Sequence, residues 1–336
     1  MVVKKKQSIE NVEQFCRYVD QLDKISEKNQ QPSLDVNTTT IIDSIEKLVQ
    51  TKLTNPDRTI QDALKSAASK LWNACVSRSQ RKQNEPKDIQ ILFSRMRQVA
   101  CDVITSSWKD NTQARHIECL RLYNRTAKSW RDASDLDKAN KCYDNASNLA
   151  DLISDRAMEE IISDMEQDED QAIKEKQEAL TSAYTFYMTR SQIHWESNQK
   201  ELAMTSINKV KRFLEYLPAE IHNVSMTQYN NAVELHKSKN YDDAIVWLKE
   251  CLEVSEKDPN RQVSKYSRTL RLLSNCYLEV KNVDHALNCI QLANKSYKTS
   301  PGLVLQTKIY IHMNREEEVN HSLVETVNHP ETNLKM

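Results

Sequence analysis

The stretch "YNNAVELHKSKNYDDAIVWLKECLEV", residues 229–254, decides the fold. It begins as a helix-forming run, breaks at polar Lys237–Asp242, and resumes. Ala232 is small, and Leu235, three residues on, is a large side chain one turn along the same face. Ala244 follows Ala232 by twelve residues; Leu248 comes four later and Cys251 three after that. This spacing describes two helices folded back on one another. Ala232 lets the second helix approach, and Ala244 sits where the two cross. A side chain larger than a methyl there would push the helices apart. Asp242 is placed to accept bonds from the free N–H groups that open the second helix.

The same register recurs three times outside this stretch. Ala127, Trp130, Ala139, Tyr143 and Ala146 form one set. Ser191, His194, Ala203, Ile207 and Val210 form a second, and Ser274, Tyr277, Ala286, Ile290 and Ala293 a third, with Asp284 as its cap. Pro218, Pro259 and Pro301 space the units. A small/large pair, then A-x3-bulky, then proline is the tetratricopeptide pattern, and the expected fold is an all-α, tetratricopeptide-like α-solenoid. Two departures stand out. Ser134, Asn198, Lys239 and Lys281 occupy the turn position where such repeats carry glycine. The alanine spacings are 64, 41 and 42 residues, against about 34 in the standard repeat. Either the helices are longer than usual, or an additional hairpin lies between Leu149 and Arg190. A degenerate fifth hairpin is expected over Leu303–Val327, with Asn320 in the alanine slot.

Residues 111–336 are therefore read as the repeat region, with the best units near 120–150, 184–217, 225–259 and 267–301. Residues 1–110 are read as less regular helical hairpins. "TTIIDSIEKLVQTKL" (39–53) and "TIQDALKSAASKLWNACV" (59–76) are amphipathic helices split by Asn55-Pro56. "DIQILFSRMRQVACDVITSSW" (88–108) follows Pro86 as another, and Ser26–Asn37, polar and containing Pro32, reads as a loop.

Composition agrees. The 336 residues include one glycine, Gly302, so no phosphate loop or dinucleotide fingerprint can be written. Net charge is −1, which draws the chain to neither nucleic acid nor anionic lipid. The Lys4–Lys6, Arg78–Lys82 and Asp164–Asp170 runs read as solvated surface. No apolar run approaches the ~18 residues of a membrane span, and eight cysteines without a CxxC pair read as reduced thiols. Cys276, His285 and Cys289 lie close in sequence but lack the paired spacing of zinc ligands. Cys251 stands where other units carry Ala or Val, so cysteine serves as a small apolar filler. No catalytic, metal-binding or cofactor-binding residues are expected, and no cofactor.

In stacked hairpins the first helices line a concave surface. Here it comprises Arg121, Asn124, Lys128 and Arg131; Met188, Gln192 and Trp195; Tyr229, Val233 and His236; and Arg268, Arg271 and Asn275. It is basic at both ends and aromatic in the middle, which suits a peptide or helix with acidic flanks. Trp195, Tyr229 and Arg271 are the expected hot spots.

"LRLLSNCYLEVKNVDHALNCIQLANK" (270–295), the opening stretch and "LRLYNRTAKSWRDASDLDKANKCYDNASNLADLI" (120–153) resemble the meiotic tetratricopeptide proteins of the sporulation and crossover group. The resemblance is good over residues 120–311, and the chain looks like the first part of those longer proteins. It implies a non-catalytic scaffold on meiotic chromosomes in the nucleus, coupling crossover factors to synapsis. Its partners would be other crossover and synapsis proteins, without direct nucleic-acid contact or a membrane. The rival expectation is a cytosolic adaptor recognising acidic peptide tails. Arg271 and Asn275, one turn apart, are similar to the carboxylate-gripping pair of chaperone-binding tetratricopeptide domains.

Overall fold

The computed structural model describes residues 2–28, 36–50, 58–79, 86–106, 112–165 and 170–330. Among the described residues every regular element is a helix, as the composition and register require. The chain divides into two compact units, Met1–Tyr216 and Leu217–Met336. The sequence-based boundary at 110/111 falls inside the first of them. Lys4–Lys6 lie at the start of the first helix. Asn55-Pro56, most of the Asp164–Asp170 run and Lys82 lie outside the described residues.

The first unit opens with α1 (Val2–Lys28), α2 (Val36–Gln50), α3 (Arg58–Ser79) and α4 (Lys87–Ser106). Helix α1 was not expected from the sequence, and helix occupies both ends of the expected Ser26–Asn37 loop. Ser26–Lys28 close α1 and Val36–Asn37 open α2. The reason is visible in α1 itself: Val12, Phe15, Val19 and Leu22 fall on one face and are all buried. They pack with Ile42, Ile45, Ala68, Leu71, Trp72, Val99 and Ala100 in one core. Arg95 of α4 grips Glu46 of α2 with two bonds, Nε to Oε1 at 2.8 Å and Nη2 to Oε2 at 2.7 Å.

Two hairpins complete this unit. The first pairs α5 (Gln113–Asp132) with α6 (Leu136–Met165), and the second pairs α7 (Asp170–Glu196) with α8 (Lys200–Phe213). With 30 residues in α6 and 27 in α7, long helices account for the 64-residue alanine spacing. No further hairpin stands between Leu149 and Arg190 among the described residues. Tyr143, the bulky side chain of the first set, packs edge-on against Phe186, with ring centroids 4.9 Å apart. Phe186 meets Tyr187 in the same manner at 5.2 Å, so a ladder of rings fills the space between α6 and α7.

The second unit begins with a single 3-10 turn, Pro218–Glu220. Three hairpins follow: α9 (Ile221–Lys237) with α10 (Tyr241–Glu256), α11 (Val263–Glu279) with α12 (Val283–Ser296), and α13 (Ser300–His312) with α14 (Glu316–Asn328). This is the all-α, tetratricopeptide-like arrangement of stacked hairpins expected from the register.

The slots themselves are buried as their spacing requires. Ala139, Ala203, Ala244 and Ala286 are each 0% exposed, and so are Ala127, Ser191, Ala232 and Ser274. The bulky slots Tyr143, Ile207, Leu248 and Ile290 are no more than 1% exposed. Ser274 adds a bond across its crossing, donating to the carbonyl oxygen of Ala286 at 2.7 Å. The fifth hairpin needs a correction of one residue. Its left-handed turn residue is Asn314, and the alanine slot five residues later is Val319; Asn320 is exposed. Thr307 then takes the small slot, buried at 6%, with its hydroxyl 2.8 Å from that of Ser322.

The turns explain the missing glycines. Ser134, Asn198, Lys239, Lys281 and Asn314 all have positive φ, between 54° and 63°. Each ends a first helix with the paired bonds of a Schellman motif. Thus the N–H of Asn240 reaches the Leu235 carbonyl at 2.9 Å, and that of Asn282 reaches Tyr277 at 2.8 Å. Because the left-handed residue fixes where the next helix starts, the caps are Asn240 and Asn282 rather than Asp242 and Asp284. Their side chains accept from the N–H groups of Asp243 and His285, each at 3.4 Å. Asp242 and Asp284 instead occupy the first turn, where a negative charge complements the helix dipole.

Candidate partner-binding face

The first helices carry the side chains named from sequence, and each unit presents its own set. In the first unit, α5 and α7 pack side by side. Arg121 on α5 donates to Glu178 of α7 at 2.8 Å and to the Ser182 hydroxyl at 3.3 Å. Arg131 grips Glu196 with Nε, at 3.0 and 2.9 Å to its two oxygens, and with Nη2; Nη1 reaches Gln192 at 3.4 Å. Both arginines thus bind the neighbouring helix. Lys128, one turn before Arg131, is exposed. Desolvation, with the nearby Arg131 charge, lowers its ammonium below the usual lysine range.

Two side chains assigned to this face are elsewhere. Asn124 is 7% exposed and accepts the Tyr143 hydroxyl at 2.7 Å. Met188 is likewise 7% exposed, buried in the core. Both lie on the flank of their helix that the stack covers. Trp195 is half-buried at the end of α7, with the Lys200 ammonium 5.8 Å from its ring centroid. Trp130 and Trp247 belong to the core, at 2% and 1%.

In the second unit the face is built from α9 and α11. The Arg268 guanidinium stands 5.2 Å over the Tyr229 ring. Nδ2 of Asn275 lies 2.9 Å from Nε2 of His236, whose ring meets Tyr241 edge-on at 5.4 Å. Val233, also on α9, is half-buried. Arg271 Nη1 donates to the Ser267 hydroxyl at 3.0 Å. Arg271 and Asn275 are one turn apart as expected, but each engages a neighbour within the unit.

Sequence reasoning missed the basic cleft at the start of α11. It is lined by His222, Met226 and Tyr229 of α9 together with Arg261, Lys265 and Arg268. The signal was present in the spacing Arg261, Lys265, Arg268, which puts three cations on one side of the turn into α11.

Cys276 and Cys289 lie outside the basic cleft, whereas Cys251 is part of its lining. Burial pushes the Cys276 thiol up to about 12 and the Cys289 thiol to about 11, so neither holds a thiolate near neutral pH. His285 packs its ring 5.2 Å from Tyr277, and its Nδ1 lies 2.8 Å from Asn282 Oδ1. Cys251, 2% exposed, fills its compact slot and donates to the Ser225 carbonyl at 3.1 Å. Among the described residues no three His, Cys, Asp or Glu side chains are grouped to hold a metal. No described helix is long and apolar enough to cross a membrane.

Comparison with known proteins finds a family model that matches part of the chain. The family model described as "Meiosis protein SPO22/ZIP4 like" matches residues 193–336. Over that span the chain is similar to that family. The matched span takes in the end of α7, all later helices, and Trp195, Tyr229, His236, Arg268, Arg271 and Asn275 of the face. Arg121, Lys128 and Arg131 precede it. Solved structures similar to this chain include BtubC from P. vanneervenii, at 13% identity over 83% of this chain and 90% of that one, TM-score 0.39. Yeast Tom70 aligns at 13% identity over 95% and 75% of the two chains, TM-score 0.30. The P58(IPK) TPR domain aligns at 13% identity over 93% of each, TM-score 0.29.

Proposed function

We propose that the chain is a non-catalytic protein-interaction scaffold of meiosis, promoting crossover formation and chromosome synapsis by binding partner proteins on the first-helix faces of its hairpins. The observation that carries this reading is the SPO22/ZIP4-like match over residues 193–336, the span holding the aromatic and basic side chains of α9 and α11. The stacked hairpins support it, since in such folds the first-helix face is the working surface. Its partners are other crossover and synapsis proteins, and its place is on chromosomes in the nucleus. Best units near 120–150, 184–217, 225–259 and 267–301 form the repeat region over 111–336, and residues 1–110 flank it. Trp195, Tyr229 and Arg271 are the contacts that carry most binding energy.

The test is where the chain goes. Tagged protein imaged in spread meiotic nuclei forms foci along paired chromosomes. An even cytosolic signal in meiotic and dividing somatic cells alike removes the meiotic reading and favours a general adaptor.

A further inference from the structure

Three cations converge on one cleft of the second unit. The cleft, of about 190 Å³, lies between α9, the end of α10 and the start of α11. Arg268 stands over the Tyr229 ring, and the Arg261 guanidinium stands 4.4 Å over that of Tyr266. Lys265 Nζ lies 3.3 Å from His222 Nε2. None of these three cations forms an ion pair with a described carboxylate. Asp258, the one carboxylate lining the cleft, turns into its own loop and accepts the Asn260 N–H at 2.8 Å. Nearby Glu256 accepts the Tyr266 hydroxyl at 2.9 Å. Met226, 47% exposed, adds an apolar side chain to the lining of the cleft.

We propose that this cleft docks an acidic peptide segment of a partner protein, one apolar side chain entering against Met226 and Tyr229 while flanking carboxylates meet Arg261, Lys265 and Arg268. The inference rests on the reading of the chain as a protein-binding scaffold, and names the chemistry of one partner. A guanidinium already held on a ring face has less freedom to lose when it grips a carboxylate. Charge complementarity fixes the sign of the partner, and Met226 with the two tyrosines adds the apolar anchor that hot spots require. A nucleic acid fits less well. Its backbone needs a basic stripe along the surface, whereas these cations encircle one small cleft on a chain of net charge −1.

The experiment uses the full chain and a fluorescein-labelled peptide of leucine and phenylalanine flanked on each side by three acidic residues. Anisotropy shows binding that weakens as salt rises from about 50 to 200 mM. Arg268→Glu with Lys265→Glu raises Kd at least tenfold. So does Met226→Asp, and so does replacing the peptide's leucine and phenylalanine with alanine. These side chains are exposed, so the variants melt like wild type, and Lys295→Glu, an exposed change on α12 away from the cleft, binds the peptide unchanged. Unchanged affinity in the cleft variants, or equal competition by an oligothymidylate of the same charge, overturns the proposal. Proteins captured from meiotic cells separate the two readings. If the peptide fails while the double variant captures the same crossover proteins as wild type, the cleft assignment falls and the scaffold stands. If wild type captures none, the scaffold reading falls.

Discussion

The Ser274 hydroxyl donates to the carbonyl oxygen of Ala286 at 2.7 Å, joining the two helices of one hairpin where they cross. Both residues are 0% exposed. The bond shows how close the backbones come, and why the alanine slot admits nothing larger.

Ser274→Ala removes the donor but leaves the Ala286 carbonyl its bond within α12. The expected loss is therefore one ordinary hydrogen bond, about 1 kcal/mol, read as a shift in the urea midpoint. Ala244→Glu is far worse, because it drives a charge and extra volume into a sealed crossing. We expect a loss of about 3–5 kcal/mol. An unchanged melting temperature for Ala244→Glu would place that residue outside the crossing.

The turn residues carry strain of the opposite kind. Lys239 and Lys281 hold φ of 62° and 63°, a region that costs a residue with Cβ roughly 1–2 kcal/mol. Glycine removes that cost and returns part of it as unfolded-chain freedom. Lys239→Gly and Lys281→Gly should each stabilise by about 0.5 kcal/mol, an inversion of the usual effect of glycine. Chemical denaturation checks the sign.

Gly302→Ala pits two effects against each other. Alanine improves a helix by about 1 kcal/mol in its interior and less near an end; Gly302 stands in the first turn of α13. Its new Cβ would meet the Asn294 side-chain oxygen, with Thr299 Oγ1 at 3.2 Å and Arg271 Cδ at 3.3 Å. Asn294 is 8% exposed and donates to Gln306 at 2.6 Å, so moving it disturbs a buried bond. The disturbance wins, and a net loss of about 1 kcal/mol follows.

His194, 2% exposed, occupies the large slot that Trp130 holds in the hairpin before it. Desolvation, then the Arg190 charge, lowers its folded pKa below the ordinary value of ~6.5. As pH falls from 6.5, the unfolded chain takes up the proton before the folded one. The stability due to neutral His194 is thus present above 6.5 and lost as pH falls through the lowered value. Wild type should lose more stability between pH 7.5 and 5.5 than His194→Leu does, by urea titration at each pH.

The hairpins were readable because each crossing imposes a residue type: Ala139, Ala203, Ala244 and Ala286 announce themselves at fixed spacing. The left-handed turns were readable as places where glycine was missing. The caps went to the wrong residues because Asn240 and Asn282 hold their place only once the preceding residue is left-handed. Helix α1 was missed because Val12, Phe15, Val19 and Leu22 are diluted among Gln, Glu and Lys. Of the face, neither the burial of Asn124 and Met188 nor the partnerships of its arginines could be read in the sequence. Nothing in sequence ties Arg131 to Glu196 or Arg121 to Glu178, more than fifty residues away. Those pairs exist only because α5 and α7 lie side by side.

The central proposal is that this chain holds crossover and synapsis proteins. Affinity purification of the tagged chain from meiotic cells, with mass spectrometry of what it retains, tests it most directly. The account predicts crossover and synapsis proteins, reduced in the Tyr229→Ala, Arg268→Glu variant. Retention of the same cytosolic set from meiotic and somatic cells, indifferent to those substitutions, would contradict it.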